Sequence, residues 1–406
     1  MKVLIVIHDF GSGGAQKSLV SFLRGLEKAD LLAKYDIDIL VSDNYGIFKK
    51  DVPAAVNIQL ADSTITWMNC PLRNKRIWKN MSVKSLIGEI RWILWQKFNL
   101  GPKTQSGARK IWECWNKFVP KNMNVYDIAI SYINGWANYY VMDKVIAKKK
   151  VLWIHNDYQM QPHDIDFDER YYDNCDQIVT ISEECKNSFL KSFPALKNKI
   201  NVLQNITIVE DVLDKAKNGQ TPELELATEK LKIVSVGRLS QQKAFHIAIE
   251  AAAILKKIGL DFVWLILGEG EERHSLEAQI RNCELNNYVF LVGIKENPYV
   301  YIDRCDLFVQ TSIYEGKSIV LDEAKILLKP IVVTNYPTIK DSITNMENGI
   351  ITGIDGHSVA DAIVRLASDN KLQAYFKRNL EIERTNSKSE LDKYVHIMLE
   401  MEGGNK

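Results

Sequence analysis

Glu315 and Glu323 bracket the stretch Tyr314-Glu315-Gly316-Lys317-Ser318-Ile319-Val320-Leu321-Asp322-Glu323-Ala324. An acid and a glycine stand just before a helix expected over 318–328, and the second acid falls on that helix's second turn. A helix N-terminus presents unpaired N–H groups and a partial positive charge, so it holds phosphate well. Carboxylates beside it accept hydrogen bonds from ribose and hexose hydroxyls. A diphosphate flanked by polyols meets both demands, which points to a nucleotide-sugar.

A second group of residues suits the same ligand. Val234-Ser235-Val236-Gly237-Arg238-Leu239-Ser240-Gln241-Gln242-Lys243 reads as a strand ending at Gly237, then a turn carrying Arg238 and Lys243 ahead of a helix. Open α/β sheets bind ligands at the carboxyl ends of their strands. Two cations there would neutralise a diphosphate and stabilise it as a leaving group. Taken alone they would equally be two solvated bases; the Glu315 motif in the same half of the chain favours the site.

Together these segments resemble the retaining glycosyltransferases of the GT-B fold, in the large family 4 (glycosyl transferases group 1). Gly237-Arg238-Leu239 with Gln242-Lys243 is similar to that family's diphosphate motif, and Glu315 to Glu323 to its E-x7-E motif. Asn297-Pro298-Tyr299 with Asp306 to Glu315 resembles the approach to that motif, and Gly13-Gly14-Ala15-Gln16 resembles the family's Gly-Gly-Ala-Glu loop. The resemblance spans nearly the whole chain and is strongest over 232–355. It implies that Arg238 and Lys243 hold the donor diphosphate, Glu323 the ribose and Glu315 the sugar hydroxyls. Backbone N–H groups of Gly316, Lys317 and Ser318 would face sugar and phosphate, and Ile294 and Lys295 the base. No metal and no cofactor are implied beyond the NDP-sugar co-substrate, with UDP the expected nucleotide. Two departures stand out. Ala244 replaces the glycine that usually follows the lysine, which a helical backbone would allow because only φ > 0 demands Gly. Lys317-Ser318 replaces Phe-Pro or Leu-Pro, leaving donor choice open.

In the first half, Gly11-Ser12-Gly13-Gly14 follows a strand and precedes a helix from Ala15 to Leu26, so its backbone can approach a phosphate or sugar closely. The third glycine of a dinucleotide fingerprint is missing, and no clear acid follows a second strand, which argues against NAD. His155 ends the strand Val151-Leu152-Trp153-Ile154 and should point into a cleft; the resemblance places it near the donor sugar, with a structural hydrogen bond as the alternative. His8 could be similarly placed. Asp164-Ile165-Asp166-Phe167-Asp168 contains two D-x-D triplets, but the run precedes a helix expected over 168–174, so capping is the simpler account than metal binding. Ser131 to Trp136 with Tyr139 and Tyr140 could stack on an acceptor sugar or simply pack.

These residues need a scaffold of short buried strands alternating with helices, and both halves show that pattern. Strands are expected over 2–8, 36–41, 127–133, 150–154, 177–181 and 199–203, then over 232–236, 262–267, 288–292, 306–310, 330–334 and 348–352. Helices are expected over 244–258, 271–282, 318–328 and 357–368. The fold class is therefore α/β, with two doubly wound Rossmann-like domains facing a cleft. The expected boundaries are an acceptor-binding domain 1–208, a polar linker 209–230, a nucleotide-sugar-binding domain 231–385, and a C-terminal helix in 386–406 that could pack back on the first domain.

At 406 residues, 46% hydrophobic and 25% charged, the chain has the make-up of an ordinary globular enzyme, and a net charge of +1 favours no partner class. Six cysteines without metal-ligand spacing read as reduced thiols. No stretch is apolar enough to span a bilayer, and the first residues read as a strand, not a signal peptide. One segment stands apart. Residues 70–120 carry Arg73, Lys75, Arg76, Lys79, Lys84, Arg91, Lys97, Lys103, Arg109, Lys110 and Lys117 against only Glu89 and Glu113, together with Trp78, Trp92, Trp95, Trp112 and Trp115. A basic amphipathic helix with Trp on its apolar side fits an anionic membrane surface, and plain packing of the tryptophans is the alternative. No nucleic-acid motif accompanies the charge.

The resulting expectation is a cytoplasmic, peripherally membrane-bound enzyme that moves a sugar from a UDP-sugar to a lipid-linked or polysaccharide hydroxyl, with retention, in bacterial surface glycan assembly. The rival readings are a nucleotide-sugar epimerase of the same fold and an inactive nucleotide-sugar-binding subunit.

Overall fold

The computed structural model describes residues 1–69, 81–101, 103, 106–160, 162–225, 229–386 and 390–402. The chain divides into two units, Met1–Ile206 with Ser389–Lys406, and Thr207–Lys388.

The first unit is built on seven strands: β1 (Lys2–Ile7), β2 (Asp36–Val41), β3 (Asn57–Leu60), β4 (Asn122–Ser131), β5 (Val145–Ile154), β6 (Gln177–Thr180) and β7 (Ile200–Val202). They pair in parallel in the order β3-β2-β1-β4-β5-β6-β7. Val3 to Ile7 are wholly buried, as expected of a parallel strand covered on both faces. β3 is the one described strand that sequence reading missed. It is a four-residue edge of half-exposed Asn-Ile-Gln-Leu, paired only to β2, and lacks the continuous apolar run of the inner strands.

The second unit repeats the plan with β8 (Leu231–Val236), β9 (Phe262–Leu267), β10 (Val289–Gly293), β11 (Leu307–Gln310), β12 (Ile331–Thr334) and β13 (Ile350–Thr352), in the order β10-β9-β8-β11-β12-β13. Both orders reverse direction at the first strand of the unit, between β1 and β4 and between β8 and β11. That reversal leaves a crevice at the carboxyl ends of the two strands, where doubly wound sheets take their ligands. The helices expected over 244–258, 271–282, 318–328 and 357–368 are Phe245–Lys257, Arg273–Asn282, Ile319–Ile326 and Gly356–Ser368.

Residues 209–230 do not read as a linker in the structure. Val209–Lys217 and Pro222–Glu225 are helical, and Val212, Ala216 and Leu224 are buried in the second unit's core. Apolar residues at helical spacing outweigh the acidic and basic ones around them. The helix Leu391–Glu402 belongs to the first unit. Its Tyr394 ring lies 4.9 Å from Phe22 and 5.5 Å from Trp153, and its hydroxyl donates to the Gln204 carbonyl at 3.2 Å.

Candidate active site

The residues expected to handle a diphosphate converge at the carboxyl ends of β8 and β11, which are direct neighbours in the second sheet. Lys243 Nζ lies 2.5 Å from Glu315 Oε1. Glu315 is buried, and its carboxylate also receives Ser312 Oγ at 2.6 Å, Gln242 Nε2 at 3.3 Å and Gln310 Nε2 at 3.4 Å. A buried charge needs this density of partners, because desolvation without them costs several kcal/mol (about 1–3 for each unmet charged bond). The two turns are also joined through the backbone: Ile313 N donates to the Gln242 carbonyl at 2.9 Å, and Thr311 Oγ1 to the Lys243 carbonyl at 3.0 Å.

Glycines set how closely the surrounding backbone packs. A Cβ on Gly237 would stand 3.2 Å from Lys243 Cδ, so the lysine stem lies across that glycine. Gly268, at φ +147°, presses against the Gly237 carbonyl, and a Cβ on Gly270 would strike Leu239 backbone. The turn after β8 is thus pinned under the turn after β9, with Leu239 N donating to the Glu269 carbonyl at 3.0 Å. Sequence reading passed over Gly268 and Gly270, although the spacing of two glycines just past a strand was a visible signal. Arg238 is exposed at the crest of this turn. Ala244 contradicts its expectation. Its backbone is left-handed, φ 48° and ψ 45°, and it caps the helix Phe245–Lys257. The chain tolerates an alanine where glycine would be relaxed.

Ser318 caps the helix Ile319–Ile326, and Gly316 is buried just before it. Lys317 Nζ is 3.6 Å from Asp322 on that helix's first turn. Glu323 is fully buried on its inner face. Lys295 is turned toward a different partner: it pairs with Glu223 at 2.7 Å, which also receives the Tyr301 hydroxyl at 2.9 Å, and this bond raises the lysine pKa. Ile294, beside it, is half-exposed.

Gly13, Gly14 and His155 lie in the first unit. Gly13 is the extended cap of the helix Gly14–Lys28, which has no side-chain cap. Asp9 Oδ1 braces the loop, accepting from Gly11 N at 2.9 Å and Gln16 Nε2 at 3.0 Å. His155 follows β5 and is buried, with its ring against those of Tyr132 and Trp153. Burial lowers its pKa to about 3, so its ring is neutral. His8 Nδ1 meets Ser42 Oγ at 2.5 Å.

Asp164 caps the helix Ile165–Asn174 by accepting from Phe167 N, and pairs with Arg109 at 2.6 Å. Asp168 is buried, accepting the hydroxyls of Tyr139 and Tyr158 at 2.6 and 2.7 Å. The run is therefore used for capping and core hydrogen bonds. Among the described residues no group of His, Cys, Asp or Glu is arranged to hold a metal. Tyr132, Trp136, Tyr139 and Tyr140 are buried in the first unit, which makes them packing residues and not a stacking platform.

The basic, tryptophan-rich segment also differs from its expectation. Cys70, Arg73, Lys75, Arg76, Trp78 and Lys79 lie outside the described residues. In the remainder the tryptophans face inward. Trp112 and Trp115 are in the core, Trp92 and Trp95 pack against it, and Trp115 rests on Gly88, where a Cβ would come within 2.4 Å. What the helix Val83–Phe98 presents outward is aliphatic: Val83, Leu86, Ile87, Ile90, Ile93 and Leu94, with Phe98 at its end. Two of the bases are partly buried and partnered. Arg91 lies over the Trp95 ring, and Arg109 is paired with Glu113 and Asp164. Lys84, Lys97, Lys103 and Lys117 are exposed. Among the described residues no helix is long and apolar enough to cross a membrane.

Residues 217–382 match the family described as glycosyl transferases group 1. The chain is 29% identical over 208 residues to N-acetylgalactosamine-N,N'-diacetylbacillosaminyl-diphospho-undecaprenol 4-alpha-N-acetylgalactosaminyltransferase of Campylobacter jejuni, covering 51% of this chain and 54% of that one. It is 28% identical over 209 residues to the capsular polysaccharide biosynthesis glycosyltransferase CapM of Staphylococcus aureus, covering 50% of this chain and 55% of that one. The chain thus spans about half the length of the curated relatives it matches. Its fold is similar to that of Anabaena HepE solved in complex with UDP, at TM-score 0.69 and 14% identity, covering 98% of this chain and 100% of that one.

Proposed function

Because residues 217–382 belong to the glycosyl transferases group 1 family and the two parallel sheets are those of the GT-B fold, we propose that this protein transfers a sugar from a nucleoside-diphosphate donor, UDP-linked by preference, to an acceptor hydroxyl. The observation that carries the proposal is the meeting of Lys243 and Glu315 at the carboxyl ends of β8 and β11, beside an exposed Arg238. A cation pair and a helix N-terminus suit the diphosphate, and a buried carboxylate beside them suits sugar hydroxyls.

The transfer retains configuration. The bond from the anomeric carbon to the diphosphate oxygen breaks as the acceptor oxygen bonds to the same face. The departing diphosphate takes the acceptor's proton. Arg238, Lys243 and the amides ahead of Ile319–Ile326 stabilise the charge that accumulates on the leaving group. The reaction runs without a metal or further cofactor. The acceptor is a lipid-linked or polysaccharide glycan of a bacterial surface. The Campylobacter relative, whose name specifies a diphospho-undecaprenol acceptor, supports the lipid-linked form. The aliphatic outer face of Val83–Phe98, with Lys84 and Lys97 at its ends, supports peripheral contact with an anionic membrane on the cytoplasmic side.

Calorimetric titration of UDP, GDP and ADP into wild type and the Arg238→Ala/Lys243→Ala double variant tests this. One diphosphate should bind wild type and fail to bind the variant. Equal binding to both proteins would remove the donor site from this place.

A further inference from the structure

Gln310 ends β11 in the run Leu307-Phe308-Val309-Gln310, and only 4% of it is exposed. A buried primary amide is costly unless both its ends are hydrogen-bonded. Here both are. Nε2 faces Ser312 Oγ at 3.1 Å, Glu315 Oε1 at 3.4 Å and the Tyr336 hydroxyl at 3.4 Å, and Oε1 accepts from Ser318 Oγ at 2.8 Å. The orientation is dictated by charge. Only the NH₂ end can face the Glu315 carboxylate, so the carbonyl end must face Ser318, and the Ser318 hydroxyl must donate to it.

Ser318 occupies the cap of Ile319–Ile326 with extended backbone, φ −80° and ψ 103°. A serine in that place ordinarily accepts a hydrogen bond from one of the first helical amides. Ser82, Ser106 and Ser182 all do so in this chain, from Ser85, Arg109 and Cys185 N. Ser318 makes no such bond.

We propose that Gln310 is a positioning residue: it draws the Ser318 hydroxyl off the Val320 amide at the start of the helix, leaving that amide to the donor's phosphate, and holds the Glu315 carboxylate with its other end. The idea rests on the nucleotide-sugar reading above. In its absence the serine would cap the helix and compete with the phosphate for the same N–H. One amide thus couples the sugar side of the site to its phosphate side.

The test is a two-by-two set, Gln310→Met, Ser318→Ala and the double variant, beside wild type. UDP affinity is read by calorimetry, and exchange of the Val320 amide by NMR without ligand. Gln310→Met should weaken UDP about tenfold and slow exchange at that amide, because the freed hydroxyl now caps it. Ser318→Ala measures what the hydroxyl itself gives to UDP, and the double variant is read against it. The double variant should recover most of the lost affinity, since no hydroxyl remains to cap, and a merely structural loss at Gln310 would not be rescued this way. A double variant no better than Gln310→Met would overturn the proposal. If wild type bound no diphosphate while amide exchange followed the pattern, the hydroxyl's placement would stand and the nucleotide-sugar reading would fall. Should Gln310→Met not fold, Ser318→Asp supplies an acceptor that cannot donate to Gln310. It should abolish UDP binding, and undiminished binding would overturn the proposal.

Discussion

Lys243 and Glu315, 72 residues apart in sequence, share a 2.5 Å ion pair in which each is the other's nearest opposite charge. A phosphate that takes up Lys243 competes with this carboxylate for its charge. Glu315→Gln should therefore bind UDP about fivefold more tightly, the equivalent of about 1 kcal/mol, while sugar transfer falls by about a hundredfold, on the order of 2.7 kcal/mol. Calorimetry and a transfer assay on the same preparation check both. UDP binding that is weakened instead would mean that Lys243 serves the nucleotide without changing partners.

Ala244 sits at φ 48° with its methyl fully buried. Left-handed backbone costs a non-glycine residue about 1–2 kcal/mol, against about 0.8 kcal/mol for losing one buried methyl. Ala244→Gly should raise stability by about 0.5 kcal/mol, read as a higher urea midpoint. Ala244→Val should lower it by more than about 2 kcal/mol, because a β-branched residue fits that conformation worst. A glycine variant less stable than wild type would show that the methyl's packing dominates.

His155 makes acid stability depend on one buried ring. Its folded pKa is held to about 3 by burial, below the ordinary value near 6.5. Below pH ~6.5 the unfolded chain takes up a proton that the folded ring refuses, so stability falls with pH at about 1.4 kcal/mol per unit until the folded pKa is reached. Between pH 7 and 5, wild type should lose about 2 kcal/mol more than His155→Phe. Equal losses in parallel urea titrations would mean that the ring accepts a proton in the folded protein.

The aliphatic face of Val83–Phe98 predicts a separation of stability from membrane binding. Ile90 and Ile93 are half-exposed, so Ile90→Glu/Ile93→Glu should shift unfolding by less than about 0.5 kcal/mol. It should reduce sedimentation with phosphatidylglycerol vesicles at least tenfold. Unchanged vesicle binding would exclude this helix as the contact.

The inner strands could be read from sequence because parallel strands covered on both faces leave continuous apolar runs, as in Ile331–Thr334. The charged motif residues were legible for a related reason: Lys243 and Glu315 stand in the turns that follow such strands. Three features were not. Side-chain direction on a helix with apolar residues on more than one face cannot be told from spacing, so membrane contact and inward packing of the tryptophans both stayed open until the fold set Trp92 and Trp95 against the core. Ala244's φ is imposed by the turn after β8, which Gly268 and Gly270 hold down from another strand. Gln310 ends an apolar strand, and its importance lies in partners 2, 5, 8 and 26 residues away that only the fold assembles.

Tyr394 bonds to the carbonyl of Gln204 across 190 residues of chain, and the whole of the second unit is threaded between them. The second unit is a continuous stretch and can finish folding while synthesis is still under way. The first cannot. Its β1 to β7 sheet is made before the second unit, yet the ring that fills the space between Phe22 and Trp153 is made after it. A truncation just ahead of the helix Leu391–Glu402 would therefore injure the half of the protein that was made first.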